Sequence, residues 1–255
     1  MAAGLQRQRR HVLITRSGEE GRALAQRVEA LGHWALHLPL VELRAVPDPE
    51  LVRDAFRALP AVDGVIITSR EGVRQSQALG LLGLLSEKNL PVPLVVPGSG
   101  TASLARQFGV SEIVYPAAGS GASERVLELD LFRSIQDQCW VILAAADGRR
   151  LLDKVLRERG SQVERLVVYE RHFVPPFQAA LDELGRQSDW FTLLASGAVL
   201  ARLQAELSAS LWQRICRGPM VVPSERLLDQ ADAMGVQQLV LSQGASDDAM
   251  LDALG

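Results

Sequence analysis

The chain carries two cysteines, Cys139 and Cys216, and neither falls in a CxxC pair or beside a histidine at ligand spacing. A disulfide framework and a structural zinc site are therefore not expected; two reduced thiols near the core are. Histidine is scarce too. His33 and His37 stand four apart, but Gly32 and Pro39 flank them and a strand pattern covers them, so no metal is expected there. Basic residues are not in excess. The 27 Lys and Arg against 30 Asp and Glu leave a formal charge of -3, which argues against a nucleic-acid partner. No apolar run approaches the ~18 residues that cross a bilayer, and none follows the arginines near the start. A cytoplasmic protein without membrane contact is expected. There is no GxGxxG after the first strand, no GxxxxGK followed by Ser or Thr, and no GxSxG elbow. No histidine is placed to serve a loop Ser or Cys as base. Nucleotide binding and Ser- or Cys-based hydrolysis lose their usual support, and no cofactor is implied.

What the 255 residues do contain is one α/β unit written twice, about 126 to 128 residues apart. Val12-Leu13-Ile14-Thr15 returns as Val141-Ile142-Leu143-Ala144. Arg22, Leu24, Val28 and Gly32 return as Arg150, Leu152, Leu156 and Gly160. Thr68-Ser69 returns as Ala195-Ser196, Val96-Pro97 as Val222-Pro223, and Gly121-Ala122-Ser123 as Gly244-Ala245-Ser246. Such a period marks a duplicated domain rather than a solenoid. The length suits two domains with a core each, and a cleft between similar domains is the expected seat of activity.

Short apolar strands are expected near 12–15, 64–68, 93–96 and 112–115, and again near 140–144, 190–195, 219–222 and 238–241. Amphipathic helices separate them, with Leu24, Val28 and Leu31 on one face. Gly32, Gly109, Gly160 and Gly235 follow helices where a left-handed cap is wanted. The alternation implies βαβ units and parallel sheets. Leu36–Leu43 and Val163–Arg171 read as two long extended segments, each followed by prolines. Strands longer than usual suggest connectors that pair as a two-stranded hinge.

Loops at the carboxyl ends of parallel strands line the ligand crevice. Here they hold Thr15 and Arg16; Ser69 and Arg70; Gly98, Ser99 and Thr101; Gly148 and Arg149; Ser196 and Gly197; and Ser224, Glu225 and Arg226. Small hydroxyl and glycine residues at helix starts, with arginine nearby, suit carboxylates or phosphates. Helix capping explains any one such loop equally well; six of one kind favour anion binding. The acidic pairs Glu19-Glu20 and Asp247-Asp248 fall in first helical turns and read as structural. Tyr169 lies in the second connector, where the first copy has Val41. It is either a strand tyrosine with a half-buried ring or a phenol able to donate to a departing hydroxyl.

Along nearly its whole length the chain resembles the uroporphyrinogen-III synthase family. The markers are Leu13-Ile14-Thr15-Arg16, Ile67-Thr68-Ser69, Thr101-Ala102 before Gly109, Gly148-Arg149, Gly160 leading to Val168-Tyr169-Glu170-Arg171, Ser196-Gly197, and Pro223-Ser224-Glu225-Arg226 before Gly235. The resemblance implies two flavodoxin-like parallel-sheet lobes, 1–38 with 173–255 and 42–168, joined by a two-stranded β ladder at 36–43 and 165–172. It implies a lyase that closes the linear tetrapyrrole hydroxymethylbilane, with loss of water and inversion of ring D through a spiro intermediate. Tyr169 would assist the leaving hydroxyl, and the loops would hold the substrate's eight carboxylates. The enzyme would be a monomer without cofactor, in transient contact at most with the preceding pathway enzyme. The chain departs from the family pattern at Ala144-Ala145-Ala146, at Ala195 and at Glu225. The competing expectation is a two-lobed cytoplasmic protein that closes on a small anion without chemistry.

Overall fold

The structure is a computed structural model that describes residues 9–59, 61–87, 92–117 and 123–254; Gly121 and Ala122 of the repeat lie outside them. In chain order come β1 (His11–Ile14), α1 (Gly18–Ala30), β2 (Trp34–His37), β3 (Val41–Ala45), α2 (Pro49–Arg57), β4 (Gly64–Ile67), α3 (Arg70–Ala78) and α4 (Leu81–Glu87). Then follow β5 (Leu94–Val95), α5 (Ser99–Gln107), β6 (Ile113–Val114), α6 (Ser123–Leu127), β7 (Cys139–Ala145), α7 (Leu151–Glu158) and β8 (Gln162–Phe173). The chain closes with α8 (Gln178–Arg186), β9 (Phe191–Leu193), α9 (Gly197–Glu206), α10 (Ala209–Arg217), β10 (Pro219–Val222), α11 (Glu225–Ala233), β11 (Gln238–Leu241) and α12 (Asp247–Asp252).

Local chemistry explains the boundaries. Leu24 and Val28 form the buried stripe of α1, and Gly32 turns the chain at φ +86°; Gly160 does the same after α7 at φ +88°. Asp48 caps α2 through the Leu51 N–H at 3.1 Å, with Pro49 in the first turn, where its missing N–H has no partner to lose.

The chain forms two compact units, one of residues 1–42 with 172–255 and one of 43–171. The first holds a parallel sheet in the order β11-β10-β9-β1-β2. The second holds the parallel run β8-β7-β4-β5-β6, with β3 beside β8. The repeat explains the likeness. β1 and β2 correspond to β7 and β8, and β9, β10 and β11 to β4, β5 and β6. The five-strand parallel run of each sheet thus takes two strands from one sequence copy and three from the other, and β3 adds a sixth strand to the second sheet. In chain order the first sheet is 2-1-3-4-5 and the parallel run of the second, its circular permutation, is 3-2-1-4-5; the switch points fall between β1 and β9 and between β7 and β4. Chain reversals of this kind leave room for a ligand at the carboxyl ends of those strands.

The expected single extended segment Leu36–Leu43 is corrected. It is two strands, β2 and β3, in different sheets. Pro39 lies at the break, and a proline has no N–H for a ladder. On either side the backbone turns to different partners: Leu38 N–H donates to Ile14 at 2.9 Å, and Leu40 carbonyl accepts from Val174 at 3.0 Å. The second segment runs longer than expected, as the twelve residues of β8.

In the second unit Val65, Ile67, Val141 and Leu143 pack on one face of the sheet and Ile66, Ile142 and Ala144 on the other, each in its own apolar cluster. That is the two-faced burial of a parallel sheet covered by helices. In the first unit Val12, Ile14, Leu193 and Val221 pack with Leu24 and Val28 of α1 and Met250 and Leu251 of α12. Among the described residues no helix is long and apolar enough to cross a membrane.

Candidate functional site

The switch point of the second unit gathers a chain of polar side chains. It begins with a fault in the ladder. β7 and β8 pair in step from Cys139↔Gln162 to Ala144↔Val167, and then Ala145 pairs with Tyr169, leaving Val168 as the extra residue of a bulge. Plain alternation would put Tyr169 on the face of Val163 and Arg165. The bulge turns it onto the other face, where it packs in the cluster of Val65, Ile67 and Ala145. Strands lie about 4.8 Å apart, so Ser69, at the end of β4, is about two spacings from β8. The phenol crosses the end of β7 above Ala145 and meets Ser69 Oγ at 3.1 Å. Ala145 pairs with Tyr169 and packs in the same cluster, so a large residue at 145 would block that crossing.

Three further contacts fix the group. Ser69 Oγ caps α3 by accepting from the Gly72 N–H at 2.9 Å. Arg171, two residues beyond Tyr169 on the same strand, donates to the phenol oxygen at 3.3 Å. Its other terminal nitrogen lies 3.5 Å from the Asp147 carboxylate. Burial opposes the charge of Arg171, but the Tyr169 oxygen and Asp147 outweigh it and hold the guanidinium above its ordinary pKa. Tyr169 is 2% exposed, more enclosed than the half-buried ring considered from sequence. Its ring is in the core and its hydroxyl end meets the polar groups.

Beneath the loop that carries Gly148 and Arg149 lies a buried ion pair. Arg165 donates from Nε to Asp153 at 2.7 Å and from Nη2 to the Arg149 carbonyl at 2.9 Å. The two side chains are 5% and 11% exposed. Burial works to raise the Asp153 pKa, but the hydrogen bond and charge of Arg165 prevail and hold the carboxyl below its usual range. Arg165 Nη1 has no hydrogen-bond partner and sits close under Gly148, where an added Cβ would come within 3.1 Å of it. Gly148 therefore fits the loop by its lack of a side chain. Sequence reasoning missed Arg171, Asp147 and the Asp153–Arg165 pair as site residues. The spacing of two between Tyr169 and Arg171 was a usable signal; nothing local pointed to Asp153.

The remaining candidates divide between the units. Gly98 is the N-cap of α5, Ser99 opens it exposed, and Thr101 in its first turn is buried. Arg70 is exposed at the start of α3. Arg149 is in an ion pair with Glu124 at 2.6 Å. In the first unit, Thr15 is buried and gives its hydroxyl to the Leu193 carbonyl at 3.2 Å, which ties β1 to β9. Arg16 is bound by the Asp247 carboxylate and by the Ala245 carbonyl at 2.6 Å. Ser196 and Ser224 are N-caps of α9 and α11, yet neither side chain makes the capping bond. Gly197 is buried beside Gln230, whose amide donates to its carbonyl at 3.0 Å. Glu225 and Arg226 are exposed in the first turn of α11. Thr15, Arg16 and Arg149 are thus engaged within the protein. Among the described residues, no group of three or more His, Cys, Asp and Glu is arranged to hold a metal ion.

Two parallel sheets that exchange halves of a sequence repeat, one ordered as in flavodoxin and the other its circular permutation, with a hydroxyl cluster at one switch point, define a duplicated α/β protein. The family model described as uroporphyrinogen-III synthase HemD matches residues 22–252. The uroporphyrinogen-III synthase of Salmonella typhimurium is 30% identical over 251 residues, 95% of this chain and 99% of that one. That of Escherichia coli is 27% identical over 248 residues, with the same coverage. The fold is shared with a mutant uroporphyrinogen III synthase from Thermus thermophilus, at a TM-score of 0.64 and 20% identity over 96% of this chain and 97% of that one. It is shared too with uroporphyrinogen-III synthetase from Helicobacter pylori, at 0.61 and 13% identity over 96% and 98%. The chain belongs to the uroporphyrinogen-III synthase family.

Proposed function

We propose that this protein is a cyclising lyase that converts hydroxymethylbilane to uroporphyrinogen III, with Tyr169 as the proton donor. The observation that carries the reading is the Tyr169 hydroxyl, held by Ser69 and Arg171 at a switch point in a chain of this family. The phenol gives its proton to the departing hydroxyl. The C–O bond breaks as the adjoining pyrrole supplies its electron pair, and water, the phenolate and an electrophilic azafulvenium cation result. The substituted carbon of ring D attacks the exocyclic carbon to give a spiro intermediate, which rearranges to the inverted ring. The proton released on closure returns to the phenolate, so the balance is one water lost. Much of the acceleration would come from holding a flexible chain in one reactive geometry.

In this reading the helix starts at exposed Ser99 and at half-buried Ser196 and Ser224, with exposed Arg70 and Arg226, take substrate carboxylates, since the first-turn N–H groups and the helix dipole favour anions there. Gly98 lets the ligand near the backbone, while Gly148 and Gly197 give their space to Arg165 and Gln230 and so shape the loops that do the binding. Thr15, Arg16, Thr101 and Arg149 shape their loops, and Glu225 accepts a donor such as a pyrrole N–H. The two lobes of the family correspond to 1–38 with 173–255 and to 42–168, and the protein works as a cytoplasmic monomer.

The test is isomer analysis of the product from freshly generated hydroxymethylbilane. Uroporphyrinogen III in clear excess over a buffer control is expected. Product no richer in isomer III than that control would reject the reaction and leave an anion-binding protein.

A further inference from the structure

We infer that Arg171 is a positioning residue that holds and polarises the Tyr169 hydroxyl for its proton transfer. The inference rests on the reading of Tyr169 as the proton donor and extends it to a residue that need not touch substrate.

An arginine carries only donors, so the 3.3 Å contact is an N–H of Arg171 given to the phenol oxygen. Ser69 Oγ already accepts from the Gly72 N–H and lies 3.1 Å from the same oxygen, so its own hydrogen can also be given to Tyr169. With both donations made, the phenol's hydrogen is turned away from Ser69 and Arg171 and is available to a third group. Once it leaves, the phenolate oxygen keeps two donors, one of them a cation. Charge-assisted hydrogen bonds are about twice as strong as neutral ones, so this contact strengthens as negative charge develops on the oxygen.

The surroundings keep Arg171 in that role. Tyr169 and Arg171 are two apart in β8 and so share a strand face beyond the bulge. The guanidinium lies 5.7 Å from the centre of the phenol ring, and Asp147 holds its other terminal nitrogen. The anchor comes from the β7–α7 loop, so the geometry of that loop and of the phenol are linked.

The experiment is a double-mutant cycle on the full chain, with kcat and KM for isomer III formation measured for wild type, Arg171→Gln, Tyr169→Phe and the double variant. Arg171→Gln is expected to lower kcat about tenfold with KM within about threefold. In the Tyr169→Phe background the same change should cost less than twofold, because the proton it served is gone. Arg171→Lys should recover part of kcat. A loss that persists unchanged in the Tyr169→Phe background, or that falls mainly on KM, would overturn the inference while the lyase reading stood. If Arg171→Gln does not fold, Arg171→Lys takes its place in the cycle, with a loss of two- to fivefold that must vanish without the phenol. Wild-type protein that makes no excess of isomer III would reject the function itself.

Discussion

Neutralising Asp153 by Asp153→Asn should destabilise the unit of residues 43–171 by about 3 kcal/mol, within the ~3–5 kcal/mol seen when one member of a buried ion pair is removed. The structure sets the size. The pair is bidentate, with side chains 5% and 11% exposed. Two unit charges about 4 Å apart at an effective dielectric of about 20 attract by about 4 kcal/mol. Asparagine keeps the shape but leaves the Arg165 guanidinium without its counter-charge, while Nη1 already lacks a partner. The assay is urea unfolding, read as a shift in midpoint at unchanged slope. Replacing both charges, by Arg165→Met with Asp153→Leu, should restore most of the loss, since stranding one charge, rather than losing the attraction, is the larger cost. The pH dependence has a definite sign. Asp153 is held below its ordinary pKa, so its contribution is present above the unfolded carboxyl value of about 3.9 and is lost as pH falls through the lower folded value. The gap between wild type and Asp153→Asn should therefore be full at pH 7 and close below about pH 4. An Asp153→Asn cost under about 1 kcal/mol at pH 7, or a gap that widens in acid, would refute this reasoning.

Two more expectations follow from the same geometry. Ala145→Leu should overpack the crossing point of the phenol at a cost of about 1–3 kcal/mol and separate Tyr169 from Ser69. Turnover should drop toward that of a Tyr169→Phe variant, and a crystal structure of the variant with the 3.1 Å contact intact would contradict this. The KM for substrate should rise with ionic strength, because exposed Arg70 and Arg226 lose reach as the screening length falls to about 10 Å at 0.1 M salt; a KM indifferent to salt between low and physiological strength removes them as carboxylate partners.

The fold was readable where local chemistry repeats. The runs Val12–Ile14, Val65–Ile67 and Val141–Ala145 are β-branched or aliphatic and became central strands, and Gly32 and Gly160 took the left-handed turn expected after a helix. Pro39 was visible in the sequence, yet its effect depended on partners: Leu38 bonds to Ile14 of β1, whereas Leu40 bonds to Val174, just past the end of β8. The site was less readable. A bulge leaves no mark on a two-residue pattern, so nothing in Val167-Val168-Tyr169 announced which face the phenol would take. Arg16 read as an anion ligand because its counter-ion, Asp247, is 231 residues away, and Arg149 because Glu124 is 25 residues upstream. Charges at loop ends advertise a site equally whether they await a ligand or hold their own chain together.

The turnover of Tyr169→Phe tests the account most directly. The variant removes one oxygen from a ring whose burial is otherwise kept, so an intact far-ultraviolet spectrum and urea midpoint are expected. Positioned proton donors contribute about 10²–10⁴-fold, and isomer III formation should slow by about a hundredfold at little change in KM. A folded Tyr169→Phe protein that works within twofold of the wild-type rate would contradict the assignment of the chemistry to the β4, β7 and β8 edge.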